Sequence, residues 1–253
     1  MNRGWGLLDL SAPVFDAIDG VLAALMLPAA LRVMLYAAVC GWFSMLLYKR
    51  CSNQARILEV RAEIARTQAA LATHDGAFGE LNQLILKNLK LTLRQLGMTL
   101  RPALIATLPL PFLLAWLSNA FALAPPSGPV HICAEPPQAA ATLHWEPGNP
   151  AVDAGCWNVA LPAAVGDAAR MPLLQLPARP QSEFVHKFIA LNRLVGNPNG
   201  YLPDDARVER LTLALAPREL LPFGPAGLRG WEPLFFLTLL VVSLWLRWRW
   251  RVV

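Results

Sequence analysis

Apolar and polar positions along this chain fall into three patterns, and each predicts a different kind of element. Residues 102–134 contain no Asp, Glu, Lys or Arg, a run longer than the roughly 20 residues a helix needs to cross hydrocarbon. Residues 29–48 carry one charge, Arg32, and end at Tyr48-Lys49-Arg50. A third apolar stretch, Pro233 to Leu246, is bracketed by Trp231, Trp245, Trp248 and Trp250, with Arg247 and Arg249 placed to snorkel. The sequence predicts spans over 29–48 and 102–122, and a third span with a basic tail over 231–253. Pro109 and Pro111 should bend the second, because each removes a backbone hydrogen bond. The short third stretch requires either a helix reaching from Trp231 to about Trp250 or a thinned bilayer.

Helical periodicity also appears outside the spans. In 12–27, Phe15, Ile18, Val21, Leu22 and Leu25 recur at helical spacing with Asp16 and Asp19 opposite. That suits a short helix lying in a membrane interface, within an N-terminal segment 1–28 that Pro28 ends. The other reading is one kinked span over 12–48. Residues 49–101 read as an antiparallel helical hairpin. One seam is Ile57, Val60, Ile64 and Leu71; the other is Phe78, Leu81, Ile85, Leu89 and Leu96; His74-Asp75-Gly76 forms the turn.

Residues 123–230 change character. They hold 16 of the 22 prolines. Strand-like pieces recur at Val130–Cys133, Ala141–Trp145, Trp157–Leu161 and Val208–Leu215, separated by turn signals such as Asn197-Pro198-Asn199-Gly200. They predict a small β-rich domain; 183–195 fits a helix or a strand. The fold class expected is an α-helical integral membrane protein with three transmembrane helices, a coiled-coil hairpin and this β-rich domain.

Composition agrees. Hydrophobic residues make up 55% and charged residues only 15%, against about a quarter charged in soluble domains. The net charge of +5 is uneven: 49–101 has nine Lys/Arg against four Asp/Glu, and the tail from 231 has three Arg against one Glu. Basic blocks flanking spans on one side place the hairpin and the C-terminus in the cytoplasm, and the N-terminus and 123–230 outside. A DNA binder would carry its charge on a soluble fold, so no DNA partner is expected. Asp9, Asp16 and Asp19 interrupt any cleavable signal peptide.

Little here resembles catalytic chemistry. There is no Gly-rich phosphate loop, Gly-x-Ser-x-Gly elbow or Cys-x-x-Cys, so neither enzyme activity nor a cofactor is expected. Cys133 and Cys156 share the extracytoplasmic segment, where a disulfide is permitted. His131 and Cys133 would share a strand face, but nothing at usual spacing completes a metal site, and none is expected. Arg32 near the outer end of the first span is either snorkelling or facing a substrate.

The order of elements resembles the YidC/Oxa/Alb membrane insertase superfamily, and most closely its minimal three-helix branch, which includes the insertase subunit of the ER membrane complex and archaeal relatives. Ser11 to Leu25 matches the interfacial helix and Tyr48-Lys49-Arg50 the start of the hairpin. Leu96-Gly97-Met98-Thr99-Leu100-Arg101-Pro102, running on to Leu108-Pro109-Leu110-Pro111, is similar to the lead-in to the second conserved span. Two departures stand out. The family's groove arginine would fall near Gly41, more than two turns from Arg32, so that role is not carried over. The extracytoplasmic domain here follows the second span, whereas in YidC it precedes the core.

The resemblance implies a polar intramembrane groove for inserting client segments. Candidate groove residues are Arg32, Ser44, Thr107, Thr238 and Ser243. Arg56, Arg61, Arg66, Lys87, Lys90 and Arg94 would form a basic cytoplasmic arm. Expected partners are the lipid bilayer, nascent or client membrane proteins, and a ribosome or an envelope protein; the expected location is a bacterial inner membrane. The competing expectation is a membrane scaffold whose outer domain binds an envelope partner.

Overall fold

The computed structural model describes residues 4–142, 155–161, 168–171, 174–177 and 180–251. The chain divides into two compact units. One combines the described residues up to Val33 with Pro111–Leu234; the other combines Met34–Leu110 with the described residues from Phe235 onward.

Three helices are long and apolar enough to cross a membrane: Ala29–Cys51, the stretch Phe78–Phe121, and Trp231–Trp250. The last is a full 20-residue helix, so Trp231 and Trp250 are its ends. The middle stretch is two helices, α4 (Phe78–Thr107) and α5 (Pro109–Phe121). They break at Leu108, where Pro109 and Pro111 lack the N–H groups that would continue the ladder. Pro102 lies buried inside α4 without ending it, so the hairpin and the second candidate span share one continuous helix across residue 101.

In the first unit, α1 (Ala12–Ala24) starts after a 3-10 turn at Leu7–Ser11, with Pro13 in its first turn. It ends at Met26, whose φ of 57° is left-handed. Pro28 precedes α2 (Ala29–Cys51). The sheet is antiparallel in the order β2-β1-β6-β5, made of β1 (Val130–Glu135), β2 (Cys156–Val159), β5 (Phe184–His186) and β6 (Arg210–Leu213). A separate two-stranded ribbon joins β3 (Ala168–Met171) to β4 (Leu174–Pro177). Alternation along β1 buries Val130, Ile132 and Ala134 while His131 and Glu135 face out. Leu211 and Leu213 do the same on β6, and Trp157 and Val185 complete a core with Leu176, Leu202 and Val208.

The expected strand at Ala141–Trp145 is corrected in part. Pro137–Thr142 is a 3-10 turn, because Pro136 and Pro137 cannot donate to a ladder; 143–145 lies outside the described residues. In 183–195 the chain is strand only to His186, then turns through a 3-10 segment at Ala190–Arg193.

The second unit holds the hairpin of α3 (Gln54–Ala72) and α4. The Asn53 side chain caps α3 by accepting the Arg56 N–H at 3.1 Å. On α3 the inner face is Ile57, Val60, Ile64, Thr67 and Leu71, which is the expected seam with Thr67 added. On α4 the expected seam is out of phase. Leu81, Leu84, Asn88, Leu91, Gln95 and Met98 face inward, while Phe78, Ile85, Leu89 and Leu96 are exposed.

Candidate functional site

The out-of-phase seam gives α4 its most unusual surface. Ile85, Leu89, Leu93, Leu96, Leu100 and Leu104 recur every three or four residues and are each 47–59% exposed. Such spacing places them on one helix face, a stripe about 28 Å long at 1.5 Å per residue. Beside it, Lys87, Lys90, Arg94 and Arg101 follow at steps of three, four and seven residues and are all exposed. One helix therefore carries three faces: packed against α3, apolar and open, basic and open.

Two of the six expected arm residues are held in exposed ion pairs, Arg56 with Glu59 at 3.2 Å and Lys87 with Glu63 at 3.6 Å. Pairs that open to solvent are worth under about 1 kcal/mol. Among the described residues, Arg61, Arg66, Lys90 and Arg94 form no ion pair and are exposed. Four of the six arm charges are thus uncommitted.

The hydroxyl candidates lie apart in role. Thr107 is exposed and bonds back to the Leu104 carbonyl at 3.0 Å, a local bond common for helical Thr. Ser44 hydrogen-bonds the Cys40 thiol. Gly41, a turn earlier, is approached by α6: a Cβ there would lie 3.4 Å from Leu239, Val242 and the Ser243 hydroxyl. Ser243 thus sits where α2 and α6 pack closely around a glycine, an arrangement typical of helix packing in lipid. Thr238, also half-buried, lies on α6.

Arg32 belongs to the other unit. Its guanidinium pairs with Asp19 at 2.5 Å and lies 5.3 Å from the centre of the Phe121 ring. Arg218 lies at the same distance from that ring. A cation held by a carboxylate and an aromatic face is committed to packing. Arg32 fastens α1 to the first turn of α2.

The first unit also contains two clefts. One, of about 310 Å³, is lined by Trp5, Asp9, Asp16, Trp116, Asn119 and Gln181 among others. The second, of about 560 Å³, adds Ser182, His186, Asn192, Asn197 and Arg210. Several lining groups are already engaged. Asp9 accepts the N–H groups of Gly6 and Gly196, both at 2.9 Å. The Asn197 side chain donates to the Phe184 carbonyl at 2.8 Å, and the Asn199 side chain donates to the Ser182 carbonyl at 2.7 Å. Gly196 is needed for this approach, since a Cβ there would sit 1.9 Å from the Gly4 carbonyl.

On the outer sheet face, Cys133 lies directly opposite Cys156 and the two form a disulfide, Cα–Cα 4.0 Å. Closing the intervening loop is worth about 3 kcal/mol in the chain-entropy account. The His131 ring nitrogen Nδ1 is 3.0 Å from Asn158 Oδ1 on the same face. His131 lies close to both sulfurs, but the disulfide consumes both thiolates a metal would need.

Sequence reasoning missed the Asp9 and Asn network. Its signal was present as an apparent mismatch, with Asp9 amid apolar residues and three Asn between Leu191 and Gly200. It also missed the apolar stripe, having assigned Ile85, Leu89 and Leu96 to the hairpin seam. No protein-family description, curated protein or solved structure matches this chain.

Proposed function

We propose that this chain is a non-enzymatic protein of the bacterial inner membrane that handles apolar segments of client proteins, acting as an insertase-like membrane chaperone. Three spans carry it, with the N-terminus outside and the hairpin and C-terminus in the cytoplasm. The observation that carries this reading is the α4 surface. The part of this leucine stripe on the aqueous arm, Ile85 to Leu100, leaves apolar area that water disfavours. The stripe runs without a break from the hairpin into the helix that becomes the second span. A client segment laid along it stays shielded from water up to the bilayer. The parallel basic stripe raises encounter rates with anionic ribosomal surfaces or acidic client segments, an effect weakened by salt. The resemblance to the YidC/Oxa/Alb superfamily in element order points the same way. The hydroxyls Ser44, Thr107, Thr238 and Ser243 give this reading little support as a polar groove.

Photo-crosslinkers placed at Leu89, Leu93 and Leu96 test it. Nascent membrane proteins should be captured there, and capture should fall at Arg61 and Arg66 on the other helix. Equal or absent capture at all positions would sink the reading.

A second reading is favoured by the amide-lined cleft of about 560 Å³ in the sheet unit. A scaffold would hold an envelope partner there, and the α4 crosslinkers would then return no clients.

A further inference from the structure

We propose that the loop Phe188–Val195, together with the adjoining Leu7 and Leu10, docks into the interfacial layer of a bilayer that carries anionic lipid. This inference rests on the membrane reading above.

The loop is built with its polarity reversed. Asn192 is buried, and it is satisfied locally: its Oδ1 accepts the Ile189 N–H at 2.9 Å and its Nδ2 donates to the Val195 carbonyl at 3.3 Å. The apolar side chains around it point out. Ile189 is 53% exposed, Leu191 64% and Leu194 44%. An amide inside and leucines outside is the arrangement expected when the surroundings of the loop are themselves apolar.

This surface is held in place. The Leu8 N–H donates to the Leu194 carbonyl at 3.0 Å, and Asp9 accepts the Gly196 N–H. Those bonds set the N-terminal 3-10 turn beside the loop, and Leu7 and Leu10 on that turn are 53% and 64% exposed. The turn leads straight into α1, which exposes Val14, Ile18 and Val21 at helical spacing. The Asp19–Arg32 pair then ties α1 to the first turn of α2, a helix long enough to span. The apolar surface is therefore attached to the segment that enters the bilayer.

Flanking cations favour an anionic lipid surface over a neutral apolar partner. From Phe184 to Pro203 there is no Asp or Glu, while Lys187 and Arg193 lie within or beside the apolar set. Cations flanking leucines match the anionic headgroups and acyl boundary of a membrane surface.

The test uses the full chain with C40S and C51S, reconstituted into phosphatidylcholine vesicles with and without phosphatidylglycerol. An environment-sensitive fluorophore is placed singly at L191C, at N158C on the outer sheet face, and at L240C in the third candidate span. Brominated lipids serve as quenchers. Quenching at 191 should exceed that at 158 several-fold, increase with phosphatidylglycerol, and fall in the K187E/R193E variant. If 191 behaves like 158 while 240 is quenched, the docking proposal is overturned and the spans stand. If none of the three is quenched, the membrane reading fails with it. If the 191 fluorophores are unquenched and self-quench between copies, the face belongs to a second chain, which also overturns the proposal.

Discussion

The indole N–H of Trp116 donates to the carboxylate of Asp16 over 2.7 Å, although the two lie 100 residues apart. Phe15, next to Asp16, packs on the same indole with ring centres 5.3 Å apart. A helix that looks merely amphipathic in sequence is thus fixed to α5 by one polar and one aromatic contact. D16A should cost about 2 kcal/mol, the typical net worth of a hydrogen bond to a charged group. W116F should cost more, because the smaller ring also leaves space at a site only 3% exposed, and adding D16A to it should cost little further. Thermal unfolding in detergent, read as a double-mutant cycle, measures this; strictly additive losses would mean the bond contributes nothing.

The Asp19–Arg32 pair predicts a stronger asymmetry. Both side chains are largely buried. Removing one partner leaves a charge without compensation, which costs about 3 kcal/mol or more, whereas replacing both with apolar residues is far milder. D19A should therefore be less stable than D19L/R32M. The same cycle checks it, and a double variant as damaged as the single one would contradict the pairing.

Tyr201 should carry a pH signature. Burial pushes its phenol above the ordinary value near 10, and the Asp9 carboxylate adds to the rise; the Asn197 N–H on the phenol oxygen opposes both. A raised folded pKa favours the protonated form in the native state, so the contribution is complete below the unfolded value near 10. It is lost as pH climbs through the higher folded value. Stability should decline in strong alkali, and Y201F should flatten that decline while losing about 1 kcal/mol at neutral pH through the orphaned Asn197 N–H. Chemical unfolding across alkaline pH decides between these outcomes and an unchanged profile.

What the sequence made legible follows from how local each signal was. The candidate spans and the alternation of β1 and β6 rest on neighbouring residues, and periodicity reads those directly. The phase of α4 could not be read that way. Its leucines occupy two faces, so both Leu81-Leu84-Leu91 and Ile85-Leu89-Leu96 satisfy helical spacing, and only packing against α3 chooses the first. The loop around Asn192 was opaque for another reason. Its order comes from Asp9 and Leu8, nearly two hundred residues upstream, and from two glycines that let backbones touch. Arg32 reads from sequence as a lone charge in an apolar stretch, because its partner Asp19 lies beyond a turn and a proline.

The orientation is testable at the hairpin tip. Gly76 lies between α3 and α4, where an added Cβ would lie 3.0–3.2 Å from the side-chain ends of His74 and Glu80; both belong to flexible side chains that can shift to admit a Cys. In a C40S/C51S background, G76C should react with an impermeant maleimide only after the inner membrane is opened. Labelling in intact spheroplasts would reverse the proposed topology.

The most direct test of client handling is insertion of a nascent membrane protein into vesicles containing this chain alone. Insertion should exceed that of empty vesicles and fall to their level in the L89E/L93E/L96E variant. These side chains are exposed, so the variant should remain folded by circular dichroism. Insertion no faster than in empty vesicles, or equal with and without the three glutamates, would contradict it.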